Sequence, residues 1–335
     1  MRAILIKNER GPIENLYLGE TADPILGAGE VMVKIKAFGL NRMDIMQREG
    51  MYPIPPGASE ILGVEFSGYI SSIGEGVTEW NVNDEVLGLA AGGAYAELIA
   101  VPATHLIPKP QYLSWNEAAS IPEVFLTAYQ AIALYGEVAK GENVLIHAAA
   151  SGVGIAAVQL ARIKGAKNVV ATASKKEKLD WLLSIANGAT HGVNYKTQDF
   201  AREVGAITEN KGVNVVVDFV GQSHWKKNIQ SLARDGRMVM LATLSGFKVE
   251  EFDLREILYK RLRIQGSTLR SRSVEYQADL VKRFQSEILP NITGKDGNGT
   301  VKTYIHKIYS WKDIQSAHRE MEGDNNIGKI ICEVD

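Results

Sequence analysis

The chain is 335 residues long, 45% hydrophobic, and carries a formal charge of −2 with a pI near 6.4. Its length suggests two domains, each with enough apolar content for a core, and its balanced charge excludes an electrostatic basis for nucleic acid or an anionic membrane as main partner. A single cysteine, Cys332, excludes a disulfide framework and a thiolate metal site within the chain and points to a reducing compartment, so a cytoplasmic location is expected.

The opening stretch MRAILIKNERG is a short apolar run followed by charge, which reads as a first strand and not as a secretory or transit signal. Up to about residue 110 short strands are broken by glycine, proline and acidic turns: Ala3 to Lys7, Glu30 to Phe38, Phe66 to Ile73, Glu85 to Leu89 and Tyr95 to Val101. Such spacing predicts a compact, mostly antiparallel, barrel-like domain. From about Pro122 strands of Val, Ile and Ala alternate with helical stretches: Val144 to His147, Val169 to Thr172, Gly192 to Tyr195, Val213 to Phe219, Met238 to Ala242 and Arg263 to Ser267. That rhythm is what a doubly wound parallel sheet, an α/β architecture, requires.

After Thr268 come a helix from Val274 to Ser286, a polar loop from Thr293 to Thr300 and a last strand from Lys329 to Val334, too little for a third domain. The tail is expected to complete the first domain, giving residues 1–121 with 269–335 as one domain, 122–268 as the other, and a cleft between them. Lys260 to Arg263 and Arg270 to Arg272 read as short, local basic patches. Nowhere do roughly eighteen consecutive apolar residues occur, so no membrane span is expected.

The most informative stretch is NVLIHAAASGVGIAAVQLARIKG, from Asn143 to Gly165: an apolar strand, a cluster of small residues, then an apolar helix. A turn almost without side chains lets backbone N–H groups and the positive end of the helix dipole approach a pyrophosphate. Gly152-x-Gly154-x-x-Ala157 satisfies the dinucleotide fingerprint, and a second register places Ala149, Ser151 and Gly154 at its three glycine positions. About twenty residues on, where NAD-binding sites place an acid on the ribose 2′-hydroxyl, the chain has Ala171-Thr-Ala-Ser-Lys-Lys176. Ser174 with Lys175, Lys176 or Lys178 would instead attract a 2′-phosphate, so NADPH is expected over NADH. His147 ends an apolar strand and reads as a hydrogen-bonded core residue, not as a triad member with Ser151 and Asp218, and Asp218 reads as fixing the loop after its own strand. His191, His224, His306 and His318 show no metal-ligand spacing.

These pieces in this order resemble the medium-chain dehydrogenase/reductase superfamily over essentially the whole chain. Leu40-Asn41-Arg42-x-Asp44, Tyr52-Pro53, Pro56-Gly57, Leu62-Gly63-x-Glu65-x-x-Gly68, Ile121-Pro122, Leu126-Thr127-Ala128, Asn194-Tyr195 and Asn326-Ile327-Gly328-Lys329 are similar to its quinone oxidoreductase branch. The resemblance implies a GroES-like catalytic domain and a Rossmann domain that binds NADPH. It places Asn41, Tyr52 and Thr127 around the nicotinamide end as positioning residues, Ser151, Gly152 and Val153 on the pyrophosphate, Ser174, Lys178 and Tyr195 on the 2′-phosphate, and Thr243, Ser245 and Leu269 beside the nicotinamide ribose and amide. Two departures stand out. The stretch from Lys175 to Asn187 is slightly longer than in relatives, and Met46 replaces a tyrosine, leaving that wall apolar.

Zinc-dependent members carry His in the middle of the Gly-x-Glu motif, where this chain has Val64, and the cysteines of the other ligand positions and of the structural lobe are missing. The expected activity is therefore zinc-free transfer of hydride or electrons from NADPH to a quinone, with positioning supplying most of the acceleration. Two rivals remain: an enone or alkenal double-bond reductase of the same superfamily, and a low-turnover NADPH-binding protein with a sensory or RNA-associated role, like some zeta-crystallin relatives. A homodimer, formed through the edge strands of the Rossmann sheets, is implied by the resemblance.

Overall fold

The computed structural model describes residues 1–294 and 298–335, so the polar loop expected over 293–300 lies partly outside the described residues. The chain divides into two compact units, Met1–Leu126 with Leu269–Gly299 and Thr303–Asp335, and Thr127–Thr268 with Thr300–Lys302.

In the first unit β1 (Arg2–Ile6) and β2 (Leu16–Glu20) form an antiparallel pair. β3 (Glu30–Gly39) is buried at seven of its ten residues, and its end is followed almost at once by the short helix α1 (Arg42–Arg48). β4 (Glu65–Ile73), β5 (Glu85–Leu89), β6 (Leu98–Pro102) and β7 (Leu106–Pro108) add antiparallel neighbours. α2 (Trp115–Ala119) starts at a capping box between Ser114 and Glu117, which satisfies N–H groups that the first helical turn leaves open. α3 (Pro122–Tyr129) has proline in its first turn, where the missing N–H costs nothing, and it runs from the first unit into the second.

The second unit takes over through a π-helical turn at Gln130–Tyr135. It then alternates β8 (Asn143–Ile146), α4 (Gly152–Ile163), β9 (Asn168–Ala173), α5 (Lys176–Ser184), β10 (His191–Asn194), α6 (Phe200–Ile207), β11 (Val213–Asp218), α7 (Trp225–Ser231), β12 (Leu232–Met240), α8 (Arg255–Lys260) and β13 (Arg263–Gly266). All neighbouring strands pair parallel, in the order β10-β9-β8-β11-β12-β13. This is the doubly wound sheet expected from the sequence. Val144, Leu145, Val169, Val170 and Val215 to Val217 are fully buried, because helices cover both faces of such a sheet.

The tail supplies α9 (Val274–Glu287), α10 (Leu289–Thr293), β14 (Ile305–Ser310), α11 (Ile314–Glu322) and β15 (Lys329–Glu333). β15 pairs antiparallel with β3 and parallel with β14, so the sheet order in the first unit is β14-β15-β3-β4-β5-β7, with β6 also on β3. Its core gathers Phe38, Phe66, Tyr95 and Trp311, with Phe38 stacked on Tyr95 at 4.3 Å between ring centres.

Three strands went unanticipated, β2, β7 and β14. β14 reads IHKIYS with four of six residues charged or polar and none buried, so it carries no apolar alternation; pairing with β15 makes it a strand. β12 starts six residues before the expected Met238, because Arg234-Asp235-Gly236 looks like a turn; Asp235 indeed takes a left-handed φ of 62°, and the strand register shifts there. No helix of the described residues is long and apolar enough to cross a membrane.

Candidate functional site

Because the second sheet is parallel, the carboxyl ends of its strands share one edge, and the strand order reverses between β8 and β11, where doubly wound folds bind their ligands. The turn after β8 is built for close approach. Ala148 is left-handed at φ 45°, and Ser151 caps α4 by accepting from the Gly154 N–H at 3.1 Å. A Cβ on Gly154 would lie 2.5 Å from the Ala148 carbonyl oxygen and 2.7 Å from Ala149 backbone, so this position admits only glycine. Ser151, Gly152 and Val153 are half-buried in the first turn of α4, whose leading N–H groups have no intrahelical carbonyl and form a natural phosphate seat.

Ser174 is half-buried just past β9, and the Tyr195 N–H donates to the Ala173 carbonyl at 3.3 Å, which brings the backbones of these two predicted phosphate residues side by side. Tyr195 sets its ring edge-on to His224, 5.5 Å between centres. Lys176 is committed to Asp180 at 2.6 Å and is exposed, whereas Lys178 is half-buried. Thr243 is exposed in the loop after β12. Ser245 in that loop is tied to the loop after β11: its hydroxyl donates to Val220 O at 2.8 Å and accepts from Ser223 N at 3.0 Å. Asp218 accepts from the N–H groups of Val220 and Gly221, fixing the loop as the sequence suggested, and burial pushes it up to about 6.

His147 is a core residue, hydrogen-bonded to Thr172 Oγ1 at 2.9 Å and Asn228 Oδ1 at 2.7 Å, and burial drives it down to about 3. Thr127, in α3, keeps a buried hydroxyl with no partner among the described residues. Leu269 belongs to the first unit, is buried, and its carbonyl accepts from Gln277 Nε2 at 2.9 Å.

In the first unit Asn41 lies inside a buried ionic network. The Lys329 ammonium donates to Glu65 Oε1 at 2.5 Å, Leu40 O at 2.5 Å and Asn41 Oδ1 at 2.9 Å, while Asn41 Nδ2 donates to Glu65 Oε1 at 2.9 Å. The Asn41 amide is thereby held from both ends, its orientation set by a cation and an anion. Glu65 is wholly buried, and its Oε2 accepts from the Glu123 N–H at 2.9 Å. Asp44, also buried, takes N–H groups from Asn41 and Gly63 and the Tyr95 hydroxyl at 3.1 Å; burial raises it to about 6.

Tyr52 is half-buried, with the Arg270 guanidinium carbon 5.6 Å from its ring centre. Arg270 was read as part of a local basic patch, yet it is only 3% exposed, because Gln47 Oε1 at 2.7 Å and Ala91 O at 2.6 Å take two of its donors inside the unit. Its Nη2 has no partner among the described residues, and neither has Oε2 of Glu123, a side chain 5% exposed. Leaving such a group buried and unpaired costs about 1–3 kcal/mol, more when charged, so each of the two is kept at a cost to the fold. Burial, then the neighbouring Glu65, pushes Glu123 up to about 8. Burial and then Glu123 raise the Tyr52 phenol above its ordinary value.

In the sequence Arg270 stands only as part of a basic patch, and Glu123 goes unmarked. The available signal was an acid inside the apolar segment SIPEVFLTAYQAI, since an ionisable group in such a run is either surface-facing or kept at a cost. Among the described residues no three His, Cys, Asp or Glu side chains group as a metal site would need.

Residues 27–111 match the family described as the alcohol dehydrogenase GroES-like domain, and residues 152–286 match the one described as zinc-binding dehydrogenase. Curated relatives include the synaptic vesicle membrane protein VAT-1 homologs of Danio rerio, 33% identical over 92% of this chain and 65% of theirs, and of Homo sapiens, 30% identical over 92% and 80%. The chain thus spans just under two thirds of the Danio relative. Among solved structures, a quinone oxidoreductase of Pseudomonas syringae pv. Tomato is 29% identical over 99% of both chains with a TM-score of 0.87. The JamJ enoyl reductase is 28% identical over 100% of this chain and 99% of its own, TM-score 0.86, and a mycobacterial protein solved with NADPH is 27% identical over the whole of both, TM-score 0.87.

Proposed function

Since the chain belongs to the medium-chain dehydrogenase/reductase superfamily, and within it to the quinone oxidoreductase type, we propose that this oxidoreductase is an NADPH-dependent, zinc-free quinone reductase. The observation that carries the reading is the full-length likeness to a quinone oxidoreductase. The phosphate seat fits a dinucleotide: Gly154 leaves no room for a side chain, and Ser151 to Val153 present the helix N-terminus. Ser174 and Lys178, with no carboxylate at the end of β9, favour a 2′-phosphate, consistent with the relative that holds NADPH. Bound NADPH supplies the hydride.

The chain's own residues bind, orient and exclude. Asn41, clamped between Lys329 and Glu65, is a rigid positioning group, and Tyr52 offers a hydroxyl to the acceptor. Absence of zinc is supported by Val64 in place of histidine and by Glu65, whose charge is already met by Lys329. A quinone accepts hydride readily without a Lewis acid. The likeness to the JamJ enoyl reductase supports a second reading, reduction of an activated carbon–carbon double bond. Steady-state oxidation of NADPH against a panel of quinones, alkenals and enoyl thioesters decides between them. The expected result is a kcat/KM for quinones at least about tenfold above the alkenes, a difference of about 1.4 kcal/mol in barrier; the reverse order supports the second reading.

A second copy of this chain is the proposed partner. β13 is an outer strand of the parallel sheet, with one side unpaired in the sheet order, and α8, which leads into it, exposes Leu258 and Tyr259. An open strand edge beside exposed apolar side chains is a ready dimer surface.

A further inference from the structure

The first unit buries three carboxyl groups, Asp44, Glu65 and Glu123, and three cations, Arg48, Lys329 and Arg270, of which Arg48 is already paired with Glu49 and Glu322, leaving two for the three acids. Charge balance in a buried cluster calls for one proton on an acid. Glu65 has Lys329, and Asp44 has two N–H donors and a phenol, whereas among the described residues Glu123 makes no ion pair and its Oε2 has no partner. Glu123 is therefore where the proton resides.

Arg270, whose charge acts on Glu123, holds one nitrogen with no partner among the described residues. Its Nε and Nη1 are fixed by Ala91 O and Gln47, and Nη2 lies where Gly92 leaves space: a Cβ on Gly92 would come within 3.2 Å of it and 2.6 Å of Ser59 O. Glu123 and Arg270 are the two charges that act most strongly on the Tyr52 phenol, and the Arg270 guanidinium lies over the Tyr52 ring. A fixed cation with an open nitrogen lying over a phenol ring, and a buried acid with an open oxygen whose charge acts on both, are the elements needed to receive an oxygen that becomes negative.

We propose that Tyr52, Glu123 and Arg270 form the oxygen subsite for the electron acceptor, in which Arg270 and Tyr52 hold the oxygen on which charge develops and Glu123 delivers the proton that discharges it. The assignment rests on the quinone reading. A quinone that receives hydride from the reduced nicotinamide gains two electrons and one proton and becomes a hydroquinone monoanion. The Glu123 O–H bond then breaks, its proton forms the second hydroquinone O–H, and the carboxylate left behind is reprotonated by solvent. Arg270 never gives up its proton. The charges that act on Glu123 are Glu65, Lys329, Asp44 and Arg270, and burial with Glu65 outweighs the two cations in keeping its proton on at neutral pH.

The test uses the full-length protein and 1,4-naphthoquinone as acceptor. In the wild type kcat/KM should fall tenfold per pH unit above about 8, and Glu123→Gln should lower kcat about a hundredfold at pH 7 with little change in KM and abolish that limb. Without cofactor or acceptor, infrared spectra at pH 7 should show a protonated carboxyl band that titrates near 8 and is missing from Glu123→Gln. Arg270→Gln should raise KM and keep the limb. Because Gln is nearly isosteric with Glu, loss of fold is not expected, and the infrared titration of the wild type stands even if the variant is unstable. Wild-type turnover with an unaltered limb in Glu123→Gln, or a missing infrared band, overturns this assignment alone. Absence of wild-type turnover with any quinone overturns the functional reading and this one together.

Discussion

Lys329 shows how one residue can carry a local structure: a single ammonium meets Glu65, the Leu40 carbonyl and the Asn41 amide, all inside the protein. Replacing it by methionine leaves the Glu65 carboxylate buried without a counter-charge, so Lys329→Met should cost about 3–5 kcal/mol in urea denaturation. Glu123 makes a different statement, about pH. Its folded-state value of about 8 exceeds the ordinary 4.5, so the folded protein holds a proton that the unfolded chain has lost, and stability falls as pH rises between the two. His147 and His318, pushed down to about 3 by burial, act oppositely but only below 6.5, and Asp44 and Asp218 are finished by about 6. From pH 6.5 to 8 the loss, up to about 1.4 kcal/mol per pH unit, should belong to Glu123. Thermal or urea unfolding across that window should show the slope in the wild type and a flat line in Glu123→Gln. In the sequence Lys329 stood only as one letter of a family motif, since nothing in its neighbours reveals that β15 will lay it against Glu65 of β4.

At the scale of elements, the strand-turn-helix of β8 and α4 was legible because each of its parts is local: an apolar strand, small residues, a serine cap and an apolar helical face. Gly154→Ala must displace the Ala148 carbonyl, and NADPH affinity should weaken by roughly tenfold or more, about 1.4 kcal/mol, in a fluorescence titration. The end of β9 decides which nucleotide is preferred. Ser174→Ala with Lys178→Ala should erase the preference for NADPH over NADH while leaving NADH affinity within about threefold; an unchanged ratio would remove these residues from the phosphate site. Ser245 was expected to flank the nicotinamide, and its hydroxyl is bound to Val220 and Ser223, which makes it a brace between two loops. Strands without apolar alternation, β14 above all, were invisible because their identity comes from a neighbour and not from their own residues.

For the whole molecule, the expected dimer predicts that Leu258→Glu with Tyr259→Glu, both on the exposed side of α8, shifts sedimentation from a dimer to a monomer without loss of folding. A wild type that sediments as a monomer would end that proposal. The α/β class and the six-strand doubly wound sheet were written in the sequence, because strand runs of Val and Ile, helical periodicity and a glycine-rich turn act over a few residues and need no distant partner. The tertiary structure alone decided the companionship of Glu65, Lys329, Asn41, Glu123 and Arg270. These residues are separated by up to 288 positions, as with Asn41 and Lys329, and only the return of the tail onto β3 brings their charges out of water together, where burial turns ordinary side chains into a coupled site.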